Sequence, residues 1–160
     1  MPRQVARKKA TVRAAARKRP AAREAVLSFE TFVSRERPAA EKVDVIRRGL
    51  RARMVDDIVD YLDVPKSVIF GVLHTPESTA HKLIKENRPL DSAASERVVR
   101  VADVTRIAQA TFGGREAATR WLKTPNRSLR DEMPLSLLDT EPGAGEVRKV
   151  LSAINHGGVL

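Results

Sequence analysis

From residue 24 onward the apolar side chains recur every three or four positions, and proline or glycine repeatedly interrupts them. That spacing puts them on one side of a helix. "EAVLSFETFVSR" aligns Val26, Phe29 and Val33, and Pro38 then breaks the pattern. "AEKVDVIRRGL" aligns Val43, Ile46 and Leu50, and "MVDDIVDYL" aligns Met54, Ile58 and Leu62. Pro65 suits the first turn of the next helix. No segment of four or more residues shows strand alternation with turn signals on both sides. The expected fold class is all-α.

Charge divides the chain. Residues 1–25 hold nine bases against Glu24, or +8, out of a total of +10. The remaining residues carry 21 bases and 19 acids, or +2. Residues 1–23 have almost no apolar side chain larger than alanine, so burial cannot offset the entropy of ordering them. They read as a disordered basic arm that binds polyanions, with Arg7, Lys8 and Lys9 as candidate DNA contacts. An arginine- and alanine-rich start without acids also leaves a transit peptide open, but no apolar run follows that would make a secretory signal or a membrane span. The absence of cysteine excludes disulfides, a thiol nucleophile and thiolate metal sites.

The stretch "VPKSVIFGVLHTPESTAHKLIKENRPL" predicts two short helices around a tight turn at His74 and Thr75. Thr75 is expected at the N-cap and Pro76 at the first position of the second helix, which runs to about Glu86. Val68, Val72, Ala80, Leu83 and Ile84 can share a core. A helix, a tight turn and a second helix with polar residues near its start is how a DNA-reading helix-turn-helix looks. Ser78, Thr79, His81, Lys82, Lys85 and Arg88 are the candidate contacts, while Glu77 and Glu86 oppose phosphate.

A long helix should follow, capped by Asp91 and stopped at Gly113-Gly114. Ala94, Val98, Val101, Thr105, Ala108 and Phe112 form its stripe. Arg97, Arg100 and Arg106 fall elsewhere, where they can pair with Glu96 and Asp103 or form a basic side, and read best as a solvated face. Beyond it, residues 116–123 predict a short helix with Ala117, Trp121 and Leu122 inward, ended by Thr124-Pro125. Met133-Pro134 opens a helical turn carrying Leu135, Leu137 and Leu138. Gly143 and Gly145 precede a last helix with Val147, Val150, Leu151 and Ile154. Val159-Leu160 has no obvious place in so small a core.

This last region resembles the toxin-binding domain of the Xre, MbcA and ParS type antitoxins. The resemblance rests on Phe112-Gly113, Ala117 and Ala118, Trp121-Leu122, Pro125-Asn126, Leu129, Pro134 and Leu137-Leu138. It continues through Gly143, Val147, Leu151, Ile154 and Gly157. Residues 40–110 resemble, more loosely, the family's Xre-like helix-turn-helix part, with "RPLDSAASERVVRVADV" as the entry to the long helix. The implied organisation is a basic arm over 1–23, an Xre-like helix-turn-helix and dimerisation domain over 24–112, and a toxin-binding domain over 113–160.

The resemblance implies an antitoxin of a type II module whose partner is a RES-domain toxin that consumes NAD or uses it for ADP-ribosylation. The C-terminal end would cover the toxin's NAD pocket. The protein would bind its own operator DNA and form a homodimer within a larger hetero-oligomer. That implies a bacterial cytoplasmic protein, associated with the nucleoid when bound to DNA. Toxin contacts would come from Arg148, Leu151, Ile154, Asn155, His156, Gly157, Gly158, Val159 and Leu160. Trp121, Leu137 and Leu138 would be the scaffold. The glycines let backbone approach closely, and Val159-Leu160 can fill an apolar pocket. The second helix lacks the arginine-rich start common among relatives, so the arm is expected to supply phosphate contacts.

Nothing in the sequence forms a nucleophile constellation or a phosphate loop, and His74, His81 and His156 lack metal-ligand spacing. The expectation is a protein that is not an enzyme, with no cofactor, metal or catalytic residue. Two other readings remain open from the residues. One is a stand-alone helix-turn-helix regulator without a toxin partner. The other is a basic protein that coats nucleic acid through its arm alone.

Overall fold

The computed structural model describes residues 27–157. The basic arm with Arg7, Lys8 and Lys9, the position Val26, and the terminal Gly158, Val159 and Leu160 lie outside the described residues. Eight α-helices make up the described chain, with no strand beyond two isolated bridges. They are α1 (Phe29–Ser34), α2 (Ala39–Arg48), α3 (Met54–Leu62), α4 (Lys66–Leu73), α5 (Glu77–Lys85), α6 (Ser92–Phe112), α7 (Arg115–Lys123) and α8 (Glu141–Asn155). Two 3-10 turns, Arg127–Leu129 and Ser136–Asp139, connect α7 to α8.

Helix α6 is the spine. Its caps are those the sequence specifies. Asp91 accepts a hydrogen bond from the Ala94 amide at 2.7 Å, and Gly113 closes the helix at φ 78°. Every position from Val98 to Ala102 is buried. An amphipathic helix with one apolar stripe cannot do that; a helix covered on opposite sides can. Helices α1, α2 and α4 pack on α6, and so do α7, α8 and the turn Ser136–Asp139. One hydrophobic core therefore runs through both halves, from Phe29, Ile58 and Leu73 to Leu122, Leu138 and Leu151.

Several local expectations change on folding. Helix α2 turns Lys42, Val45 and Ile46 toward α6, where Lys42 pairs with Asp103 at 2.6 Å, so Val43 is left 41% exposed. Helix α5 starts one residue later than expected. Pro76 occupies the cap position with extended backbone, and Thr75 makes no cap bond. In α7 it is Ala118 and Leu122 that face inward, and Ala117 is exposed. Trp121 is half-buried, with its ring centroid 5.4 Å from that of Phe112 at the end of α6.

Gly143 and Gly145 do not precede the last helix; they lie inside it. Thr140 is the cap, accepting from the Gly143 amide at 3.2 Å. A Cβ on Gly143 would lie 2.2 Å from the Leu137 carbonyl oxygen, so only glycine lets the first turn of α8 press against the turn Ser136–Asp139.

Candidate functional site

The two regions singled out by sequence are the outer face of α5 and the end of α8. Helix α5 is held by its buried Ala80 and by the half-buried Leu83 and Ile84. Its opposite face carries Ser78, Thr79, His81, Lys82 and Lys85, all exposed, and Arg88 is exposed just beyond it. The His81 ring stands edge-on to Phe70 of α4, centroids 5.2 Å apart, which fixes one outward side chain against the preceding helix. Arg88 lies 3.7 Å from Glu86. His74, in the turn between α4 and α5, takes the left-handed conformation at φ 52°.

Helix α8 is anchored more firmly. Ala144, Val147, Val150 and Leu151 are buried, and Leu151 is completely so. That corrects one expected contact: Leu151 is a core residue and cannot reach a partner in the folded chain. Ile154 is half-buried against the core. Arg148 donates to Glu141 at 2.7 Å. At the helix end Asn155 donates to the Thr111 hydroxyl at 3.0 Å, and the His156 ring lies 2.7 Å from the Ser152 carbonyl. Gly157, at φ 68°, ends the helix. Asn155, His156 and Gly157 thus form an exposed polar tip. At the other end of α8, beside its first turn, Leu138 is fully buried and Leu137 partly so. Leu122 and Leu135 are buried just as deeply, and the Leu135 amide donates to Leu122 O at 3.0 Å.

A polar junction ties the end of α4 to the start of α8; the sequence offers the pairing of Arg100 with Glu96 but not its burial or its contacts beyond α6. Arg100 is not on a solvated face; its side chain is 8% exposed. It donates to the Leu138 carbonyl at 3.0 Å and pairs with Glu96 at 2.6 Å and Glu141 at 3.1 Å. Arg97 and Arg106 are half-buried. Arg97 donates to Asp139 O at 3.1 Å and to Leu73 O, the last residue of α4, at 3.2 Å. His74 meets the Asp139 carboxylate at 3.1 Å. The hydrogen bond from Arg148 holds the Glu141 carboxyl below its ordinary 4.5, and the charges of Arg148 and Arg100 add to this against the opposing effect of burial. On the far side, Lys123 of α7 donates to Asp63 at 2.9 Å and lowers its carboxyl, and Arg115 stacks over Tyr61 at 3.9 Å. Among the described residues no cluster of three or more His, Asp or Glu side chains could hold a metal, and no helix is long and apolar enough to cross a membrane.

The architecture is that of an all-α protein in which a helix-turn-helix shares one core with a small C-terminal helical domain. Residues 41–103 match the antitoxin Xre-like helix-turn-helix domain, and residues 108–157 match the antitoxin Xre/MbcA/ParS C-terminal toxin-binding domain. An antitoxin Xre from Yersinia enterocolitica serotype O:8 is 31% identical over 116 residues, covering 72% of this chain and 78% of that protein. A Prs ADP-ribosylating antitoxin from Sphingobium sp. strain YBL2 is 29% identical over 126 residues, 73% of this chain and 79% of its own length. An antitoxin Xre from Pseudomonas putida is 33% identical over 82 residues, about half of either chain. The chain belongs to the Xre antitoxin family.

Proposed function

We propose that this chain is the antitoxin of a type II toxin–antitoxin module. Its C-terminal domain binds a RES-domain toxin that consumes NAD or ADP-ribosylates a target, and neutralises it by covering the active site. Its helix-turn-helix, with the basic arm, binds operator DNA and represses its own operon, as a homodimer within a larger hetero-oligomer. The observation that carries the reading is the split character of α8. One face is locked into the core by Val147 and Leu151, while its end presents Asn155, His156 and Gly157 to solvent on a fixed support. A partner can therefore engage the tip without disturbing the fold. The Sphingobium relative has ADP-ribosylation in its name, which favours a toxin of that chemistry.

The test is co-expression with the reading frame next to the gene. The neighbour alone should stop growth and lower cellular NAD or leave ADP-ribosylated protein, and the full chain should restore growth and co-purify with it. A harmless neighbour, or rescue without complex formation, would favour the stand-alone regulator instead.

A further inference from the structure

The second helix of the helix-turn-helix is poor in arginine, yet the fold places an arginine-rich segment beside its exit. Residues 47–53, "RRGLRAR", contain four arginines and no acid. The segment is stitched to the loop that leaves α5. Leu50 O accepts from the Leu90 amide at 2.8 Å, the Ala52 amide donates to Arg88 O at 2.9 Å, and Arg51 and Pro89 form an antiparallel bridge. The Leu50 amide donates to the buried Ser95 hydroxyl at 3.0 Å. Gly49 makes the approach possible: its φ is 79°, and a Cβ there would lie 2.5 Å from Leu90 O.

The stitching fixes which side chains point outward. Leu50 and Ala52 are buried, so Arg51 and Arg53 between and after them are exposed, as are Arg47 and Arg48 in the last turn of α2. Residues 82–88 add Lys82, Lys85 and Arg88 against Glu86 alone. The two segments together carry +6, while residues 26–160 sum to only +2, so everything else in that part of the chain sums to −4. Among the described residues no carboxylate pairs with Arg47, Arg53, Lys82 or Lys85. Exposed bases held on a rigid backbone, in a body otherwise slightly acidic, suit a regular polyanion.

We propose that residues 47–53 and 82–88 form one phosphate-binding face that grips the backbone of double-stranded DNA beside the groove that α5 enters. This rests on the DNA-binding reading above and adds a division of labour to it. Exposed side chains of α5 such as Ser78 and His81 read bases, and the arginine segment supplies position and affinity independent of sequence.

The experiment uses the full chain and two labelled duplexes of equal length, one from upstream of the gene and one with that sequence scrambled. Binding is followed by fluorescence anisotropy over a series of KCl concentrations. R47Q/R48Q/R53Q should weaken both duplexes by the same factor. Its log–log salt slope should fall by about 0.9 for each phosphate no longer neutralised. R47K/R48K/R53K, which keeps the charge, should restore most of the slope. S78A/H81A should instead reduce the preference for the upstream duplex and leave the slope alone. Circular dichroism checks that each variant is folded. If the wild type prefers the upstream duplex and the glutamine variant keeps its affinity and slope, the phosphate face is wrong and the helix-turn-helix reading stands. If the wild type shows no preference and S78A/H81A changes nothing, both fall together. If the glutamine variant binds DNA normally but loses growth rescue, the face serves a protein partner and the proposal is overturned.

Discussion

Helices α5 and α8 are both amphipathic, both end in polar residues, and are attached to the molecule in different ways. Helix α8 sinks four residues into the shared core, and α5 buries only Ala80. The C-terminal region is thus held by apolar area. The helix-turn-helix surface is held more by its turns, by the stitch between residues 50–52 and 88–90, and by packing on α4. The difference separates two kinds of residue in the two candidate regions. On α5 most polar positions can be changed without touching the fold. On α8 the inward positions are structural until the tip is reached.

Substitutions sharpen that contrast. The largest effect should come from Leu151→Ala, which leaves a cavity where no atom is exposed and should cost about 2–5 kcal/mol of stability. Chemical denaturation would measure it, and failure of that variant to bind toxin would report unfolding rather than a role for Leu151 at the interface. Gly143→Ala should cost about 1–3 kcal/mol, because the clash is with a backbone oxygen that cannot swing away. Melting of that variant would show whether the first turn of α8 is as tightly seated as its geometry requires.

The effect of pH should be smaller. The Glu141 carboxyl titrates lower in the folded chain than in the unfolded one. Its stabilisation is therefore fully present above the ordinary value of 4.5 and is lost as pH falls through the depressed one. Glu141→Gln should flatten the acid limb of a stability-against-pH curve and leave stability near neutrality only slightly reduced, since the carboxylate is largely exposed. The smallest change of all should follow S78A/H81A on α5, within about 0.5 kcal/mol of wild type in the same denaturation assay.

Much of the fold was legible because its punctuation is local. Asp91 and Gly113 bracket α6, and Pro125 ends α7 by forcing Thr124 into extended backbone. Where a face was misjudged the cause is shared: partners distant in sequence decide which side turns inward. Val43 and Ala117 sit on plausible stripes, but the docking of α2 and α7 against α6 picks the adjacent face. Arg100 has the spacing of a solvated residue, and only the carbonyl of Leu138, 38 residues away, shows that it is buried. Gly143 reads as a loop glycine until its contact with Leu137 is seen. Of the candidate site, the exposure of the α5 face follows from its periodicity. The removal of Leu151 from the contact surface does not, because a helix spaced like α8 gives no sign of where its core ends and its tip begins.

The proposal that the tip neutralises the toxin is best tested by stopping the chain at Ile154. That truncation spares every fully buried residue of α8, whereas stopping at Gly113 would strip the cover from α6. The shortened chain should keep its helical circular dichroism and a melting temperature close to the full chain's, and should fail to rescue growth against the neighbouring gene product. Full rescue by that folded, shortened chain would contradict the assignment and move the neutralising surface elsewhere on the C-terminal domain.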